Sequence, residues 1–191
     1  MAIETRLIPC RSDNYAVLVH APADGTTILV DAPAAAPILA ALDETGWRLT
    51  HVLVTHHHAD HVQALDEIKR ATGAEALGPA AEAGKIAGLD RLALGAIAVE
   101  AIATPGHTLG PLSYFLPDAG IAFTGDTLFA MGCGRVFEGT MDEMWTSLRT
   151  LRERLPAETR IYCGHEYTLA NARFAVSVDP GNAALAARLK E

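Results

Sequence analysis

Residues 49–61 read Leu49-Thr50-His51-Val52-Leu53-Val54-Thr55-His56-His57-His58-Ala59-Asp60-His61. The segment 49–55 is an apolar, β-branched run of strand length. It follows 33–45, an alanine-rich segment with Ile38, Leu39 and Leu42 at helical spacing and Gly46 as its stop. Asp60 is placed to cap a second helix over 61–70, with Val62, Leu65 and Ile68 as its apolar stripe and Gly73 beyond its end. Helix, strand, turn and helix in this order predict an α/β sandwich with four histidines gathered at a strand-to-helix turn.

Upstream, 3–8, 15–20 and 27–31 read as short strands, the last two joined by the turn Ala23-Asp24-Gly25-Thr26. Downstream, 75–94 is rich in Gly and Ala and shows no clear period, whereas 96–104, 112–116 and 120–124 read as strands punctuated by Pro or Gly. A helix is predicted over 141–155, with Met144, Leu148, Leu151 and Leu155 on one face and Thr140 as its cap. A strand over 160–163 and helices over 167–178 and 182–190 complete the chain.

The 191 residues, 50% hydrophobic and 20% charged, fit a single globular domain spanning 1–191. Fifteen Lys plus Arg stand against 23 Asp plus Glu, a formal charge of -8. No global positive field exists to collect nucleic acid or an anionic membrane, and no protein partner is implied. Cys10, Cys133 and Cys163 form no C-x-x-C pair, which argues against a disulfide framework or a cysteine zinc site and favours a reducing cytoplasm. Apolar stretches are cut by charges or prolines well short of a membrane span.

Along an extended backbone side chains alternate, so His56 and His58 face one side and His57 the other; the first two can share one metal ion. Asp60 and His61, opening the helix, offer an oxygen and a nitrogen to a second. Three further candidates each follow a predicted strand beside a glycine: His107 after Gly106, Asp126 after Gly125 and His165 after Gly164. Five histidines and two aspartates are the count for two divalent ions with three terminal ligands each and one bridging carboxylate. Such mixed ligation suits zinc, with iron or manganese as alternatives.

The chain resembles the metallo-β-lactamase superfamily and, within it, the glyoxalase II (hydroxyacylglutathione hydrolase) family. Beyond H-x-H-x-D-H, the resemblance rests on Asp13-Asn14-Tyr15, on Gly132-Cys133-Gly134-Arg135 leading to Phe137-Glu138-Gly139-Thr140, and on Gly164-His165-Glu166-Tyr167-Thr168 followed by Asn171 and Phe174-Ala175. It implies an αββα sandwich of two mixed sheets flanked by helices. It also implies a first ion on His56, His58 and His107, a second on Asp60, His61 and His165, and Asp126 bridging. Arg135 and Tyr167 correspond to glutathione contacts, and Phe137 stands where the family often has a hydroxyl-bearing tyrosine. Residues 167–191 correspond to the start of a C-terminal helical region that is longer in the family. Asp31, closing a strand, is placed to orient a ligand histidine.

The reaction so implied is hydrolysis of a glutathione thioester, S-D-lactoylglutathione to D-lactate and glutathione, by a metal-bridging hydroxide held through Asp60 and Asp126. No G-x-S-x-G elbow offers a serine nucleophile. The rival readings are a mono-iron persulfide dioxygenase of the same superfamily, a lactonase-type metallohydrolase, and a metal-binding domain without catalysis.

Overall fold

The computed structural model describes residues 2–79 and 91–190, so part of the glycine- and alanine-rich segment read without a clear period lies outside the described residues. In chain order the elements are β1 (Glu4–Cys10), β2 (Asn14–Ala21), β3 (Thr26–Val30), α1 (Ala35–Thr45), β4 (His51–Leu53), α2 (Ala59–Val62), α3 (Leu65–Thr72) and β5 (Glu75–Leu77). There follow β6 (Arg91–Leu94), β7 (Ile97–Ala103), β8 (Leu112–Leu116), β9 (Ile121–Gly125), β10 (Leu128–Phe129), β11 (Gly132–Cys133), α4 (Met141–Arg154), β12 (Arg160–Cys163), α5 (Thr168–Val178) and α6 (Ala183–Arg188).

Two five-stranded mixed sheets face each other, in the orders β1-β2-β3-β4-β5 and β12-β9-β8-β7-β6. In the first, β3, β4 and β5 run parallel; in the second, β12 pairs parallel with β9 and the other pairs are antiparallel. Alternation along β2 shows how the layers arise. Val17 and Val19 point between the sheets, where Ile28, Leu53, Val99, Tyr114 and Phe123 meet them, while Ala16 and Leu18 point outward onto Ile38 and Leu42 of α1 and Ile68 of α3. On the far side Ile102, Phe115 and Ala122 pack against Leu151 of α4. Each of these fully buried aliphatic side chains contributes roughly 1.5–3 kcal/mol. The result is the αββα sandwich.

The helix predicted over 61–70 is instead two, and Asp60 does not cap it. The first helix begins two residues earlier, at Ala59, with His58 as an N-cap that makes no side-chain cap bond, and the Asp60 carboxylate is held by Asn14 Nδ2 at 3.1 Å. The ladder breaks at Gln63 and Ala64, where Ala64 N–H donates to Ala32 O (3.1 Å) and Gln63 Nε2 to Pro33 O (2.6 Å). α4 carries the predicted cap: Thr140 Oγ1 accepts from Glu143 N–H at 3.2 Å while the Glu143 carboxylate accepts from Thr140 N–H at 2.7 Å. No helix among the described residues is long and apolar enough to cross a membrane.

Candidate metal centre

Strand C-termini converge on one edge of the sandwich. His56 and His58 follow β4, Asp60 and His61 lie in α2, His107 follows β7, Asp126 follows β9 and His165 follows β12. The edge is closed by chain crossing between the sheets: Asn14 bridges His165, Tyr15 N–H donates to Gly164 O, and Glu166 N–H donates to Asp13 O. Gly164 is required here, because a Cβ would run into the Asp126 carboxylate and the His61 ring.

Each histidine except His58 has its Nδ1 committed. His61 donates to Asp31 Oδ2 at 2.8 Å, His165 to Asp13 Oδ1 at 2.7 Å and His107 to the Arg135 carbonyl at 2.8 Å. Thr55 Oγ1 donates to Asp31 Oδ2 (2.8 Å), so at His56 the ring Nδ1–H donates and the hydroxyl accepts, 3.0 Å apart. These acceptors hold the Nδ1–H outward and leave Nε2 as the atom each ring turns inward. His58 is reversed, with its Nδ1 3.0 Å from His107 Nε2. Asp31 sits at φ +58, a left-handed conformation, and its other oxygen accepts the Thr55 N–H.

The inward atoms form two groups, His56, His58 and His107 on one side and Asp60, His61 and His165 on the other, linked by a third, His56, His61 and Asp126, each with donor atoms within 4.8 Å of one another. Asp126 lies between, Oδ1 3.4 Å from His61 Nε2 and Oδ2 3.5 and 3.4 Å from His107 and His165 Nε2. His56 Nε2 and Asp126 Oδ1 are buried without a hydrogen-bond partner. Buried polar atoms are normally satisfied; lone pairs left open amid imidazole and carboxylate donors fit divalent cations, and the cluster fits such ions as a set.

The two groups differ in charge. Burial, then the neighbouring rings of His61, His107 and His58, hold the His56 imidazole far below the usual histidine range. Burial also opposes a proton on His165, but hydrogen bonding and charge from Asp126, with Asp13 and Asp60, outweigh it and push this group up to about 9. At His61 burial is likewise outweighed by Asp31, and the shift is upward.

A cavity of about 480 Å³ opens beside the centre, lined by His107, Asp126, Phe129, Arg135, Phe137 and Tyr167 among others. The structure therefore brings Arg135, Phe137 and Tyr167 together at one mouth. The Tyr167 ring stacks on His165 (5.0 Å, 4°), and Phe137, 63% exposed, meets His107 edge-on at 5.3 Å. Gly134 has no room for a Cβ against the Asp126 carbonyl, which keeps the Arg135 loop close. His57 points away, as alternation predicts, and donates to Glu138 Oε1 at 2.9 Å. Asp31 orients His61 as expected of it. The roles of Asp13, Asn14, Thr55 and Glu138 were not read from sequence. Asp13 and Asn14 carry the ordinary signal of a turn, and Thr55 looks like the end of a strand.

A buried bowl of imidazoles and carboxylates at the strand ends of an αββα sandwich defines a metallo-β-lactamase-type hydrolase fold, and residues 11–92 and 84–165 match the family model of the metallo-beta-lactamase superfamily. Within that superfamily the chain belongs to the glyoxalase II, or hydroxyacylglutathione hydrolase, family. It is 55% identical over 195 residues to the hydroxyacylglutathione hydrolase of Mesorhizobium japonicum, covering 98% of this chain and 76% of that one. It is 50% identical over 196 residues to the enzyme of the same name from Brucella ovis, covering 99% and 76%. Among solved structures, that of ETHE1 from Myxococcus xanthus superposes with a TM-score of 0.76 at 32% identity, over 87% of this chain and 76% of that one. Family and cluster together imply that the protein binds divalent metal.

Proposed function

We propose that the protein hydrolyses glutathione thioesters, S-D-lactoylglutathione to D-lactate and glutathione, with two divalent ions. His56, His58 and His107 would hold one, Asp60, His61 and His165 the other, and Asp126 would reach both. The observation that carries this reading is the orphaned pair His56 Nε2 and Asp126 Oδ1, buried among inward-facing donors, with Asp126 also lining the cavity that Arg135 and Tyr167 line. The name shared by the relatives from Mesorhizobium japonicum and Brucella ovis supports the substrate. Zinc is the proposed metal, since the first set would offer three imidazoles and one carboxylate and the second two of each; iron and manganese accept the same donors.

Bound divalent ions in such a centre polarise a carbonyl oxygen and lower the pKa of water from about 15.7 towards neutrality. The protein's own part is positioning. Asn14 Nδ2 holds the Asp60 carboxylate (3.1 Å), while Asp13, Asp31 and the Arg135 carbonyl fix the ring planes of His165, His61 and His107. The Arg135 guanidinium and the Tyr167 hydroxyl meet the carboxylate-rich glutathione, a local answer to the net charge of -8. Phe129, buried, and Phe137, exposed at the mouth, give the cavity its apolar walls. A leaving thiol of pKa about 8.5 departs as thiolate, so the chain needs no dedicated acid.

The deciding experiment is free-thiol release from S-D-lactoylglutathione by metal-replete protein, with a simple acyl thioester lacking glutathione as comparison. Fast and glutathione-selective release is expected. No release, or equal turnover of both substrates, would overturn the assignment of substrate.

A further inference from the structure

Outside the buried centre, His57, Glu138 and the outward nitrogen of His58 form a second donor cluster. His57 Nε2 lies 2.9 Å from Glu138 Oε1, and His58 Nε2 lies 3.9 Å from the same oxygen. The three ligand atoms all fall within 4.8 Å of one another, on half-exposed side chains at the protein surface. Glu138 is itself held in place, because its second oxygen accepts the Leu109 N–H at 3.1 Å. Two imidazoles and one carboxylate are the donor set of a borderline divalent cation.

His58 belongs to both clusters, and the hydrogen bonds decide which one it can serve. His107 spends its Nδ1–H on the Arg135 carbonyl, so its Nε2 can only accept. The 3.0 Å contact between the two rings is therefore a donation from His58 Nδ1–H. In that tautomer the His58 lone pair is on Nε2 and faces His57 and Glu138. Once Nδ1 of His58 is given to an ion inside, the ring proton must sit on Nε2, where it turns towards Glu138 and the outer cluster is reduced to two donors. The outer cluster thus has His58 as a donor only while the inner one is empty, and His57, whose Nε2–H donates to Glu138 in the absence of an ion, moves that proton to its exposed Nδ1 as it ligates.

We propose that His57, Glu138 and His58 Nε2 form an entry site that captures a divalent transition-metal ion at the surface and passes it to the buried centre as His58 changes the nitrogen it offers. This rests on the metal-binding reading of the inner centre and not on its substrate. An exposed carboxylate and imidazole in front of a buried site also raise the local concentration of the cation, an effect of tenfold or more on association rate.

The test follows cobalt(II) entering metal-free protein by stopped-flow absorbance, with final metal content measured separately. For the intact chain two phases are expected, a fast one whose rate rises with cobalt concentration and a slower one that does not. In the double variant His57→Ala, Glu138→Gln the fast phase should vanish and filling should slow about tenfold, with final metal content unchanged. Glutamine retains an acceptor for Leu109 N–H, so the loop is preserved. Equal rates in the two proteins, or a single concentration-dependent phase in the intact chain, would overturn the entry site alone. A double variant that fills slowly but also ends with less metal would show damage to the inner centre and overturn it too. No cobalt uptake by the intact chain would remove the inner centre along with it.

Discussion

In the half of the centre made by His56, His58 and His107, the two rings whose outer nitrogens are bonded lean on neutral acceptors, the Thr55 hydroxyl and the Arg135 carbonyl. In the half made by Asp60, His61 and His165, both rings lean on carboxylates, Asp31 and Asp13, and a third carboxylate points inward. The same imidazole chemistry is therefore set in two electrical environments, and the second should hold a dication more tightly and let it go last. Asp31 complicates a clean division, since it also accepts from Thr55, which in turn positions His56.

The largest effect should come from the residue common to both halves. Asp126→Ala is expected to lose most bound metal and to lower thiol release by about a thousandfold, the scale of several kcal/mol of lost charge stabilisation. Metal analysis showing two full equivalents and intact turnover would break the two-half description. Asp13→Asn should weaken only the carboxylate-anchored half, costing about 10–100-fold in affinity for one ion, whereas Asp31→Asn should weaken both. Stepwise chelator titrations of the two variants separate these outcomes.

Arg135 sharpens the contrast from another side, because its carbonyl serves His107 while its side chain lines the cavity. Arg135→Ala should leave metal content unchanged, raise KM for a glutathione thioester by about tenfold through the lost charged hydrogen bond, and leave a simple thioester alone. Paired kinetics on the two substrates give the answer. The smallest effect belongs to α4, which supports the His107 loop through Ser147 Oγ donating to Pro105 O at 2.7 Å. Thr140→Ala should cost about 1 kcal/mol of stability, visible as a lower unfolding midpoint, with both halves still filled.

Much of this was legible from residues. Three of the proposed ligands, His107, Asp126 and His165, each follow a strand beside a glycine, and period-two alternation separates His57 from its neighbours. The cap of α4 and the strands over 112–116 and 160–163 are local signals that the tertiary structure leaves undisturbed. What escaped was set by distant partners. The apolar spacing of Val62, Leu65 and Ile68 continues smoothly across the break at Ala64, and only the carbonyls of Ala32 and Pro33 divert it. The strand predicted over 49–55 is shortened to His51–Leu53, and at its C-terminal end the Thr55 N–H turns to the Asp31 carboxylate while its carbonyl accepts from Leu112 N–H in the other sheet. Strands of two residues, as in β10 and β11, are too short to show any period.

Each half of the centre draws donors from both sheets. His58 and His107 face each other across 49 residues of chain, and His61 and His165 across 104. An ion held there acts as a rivet between two layers that are otherwise joined by apolar packing and a few edge contacts. Because the unfolded chain keeps only the local 56–61 run of donors, free ion at a hundred times its dissociation constant adds up to about 2.7 kcal/mol to the folded state, less whatever that run binds on its own. Metal supply thereby sets the protein's heat resistance as well as its turnover, and a cell short of the ion loses both together.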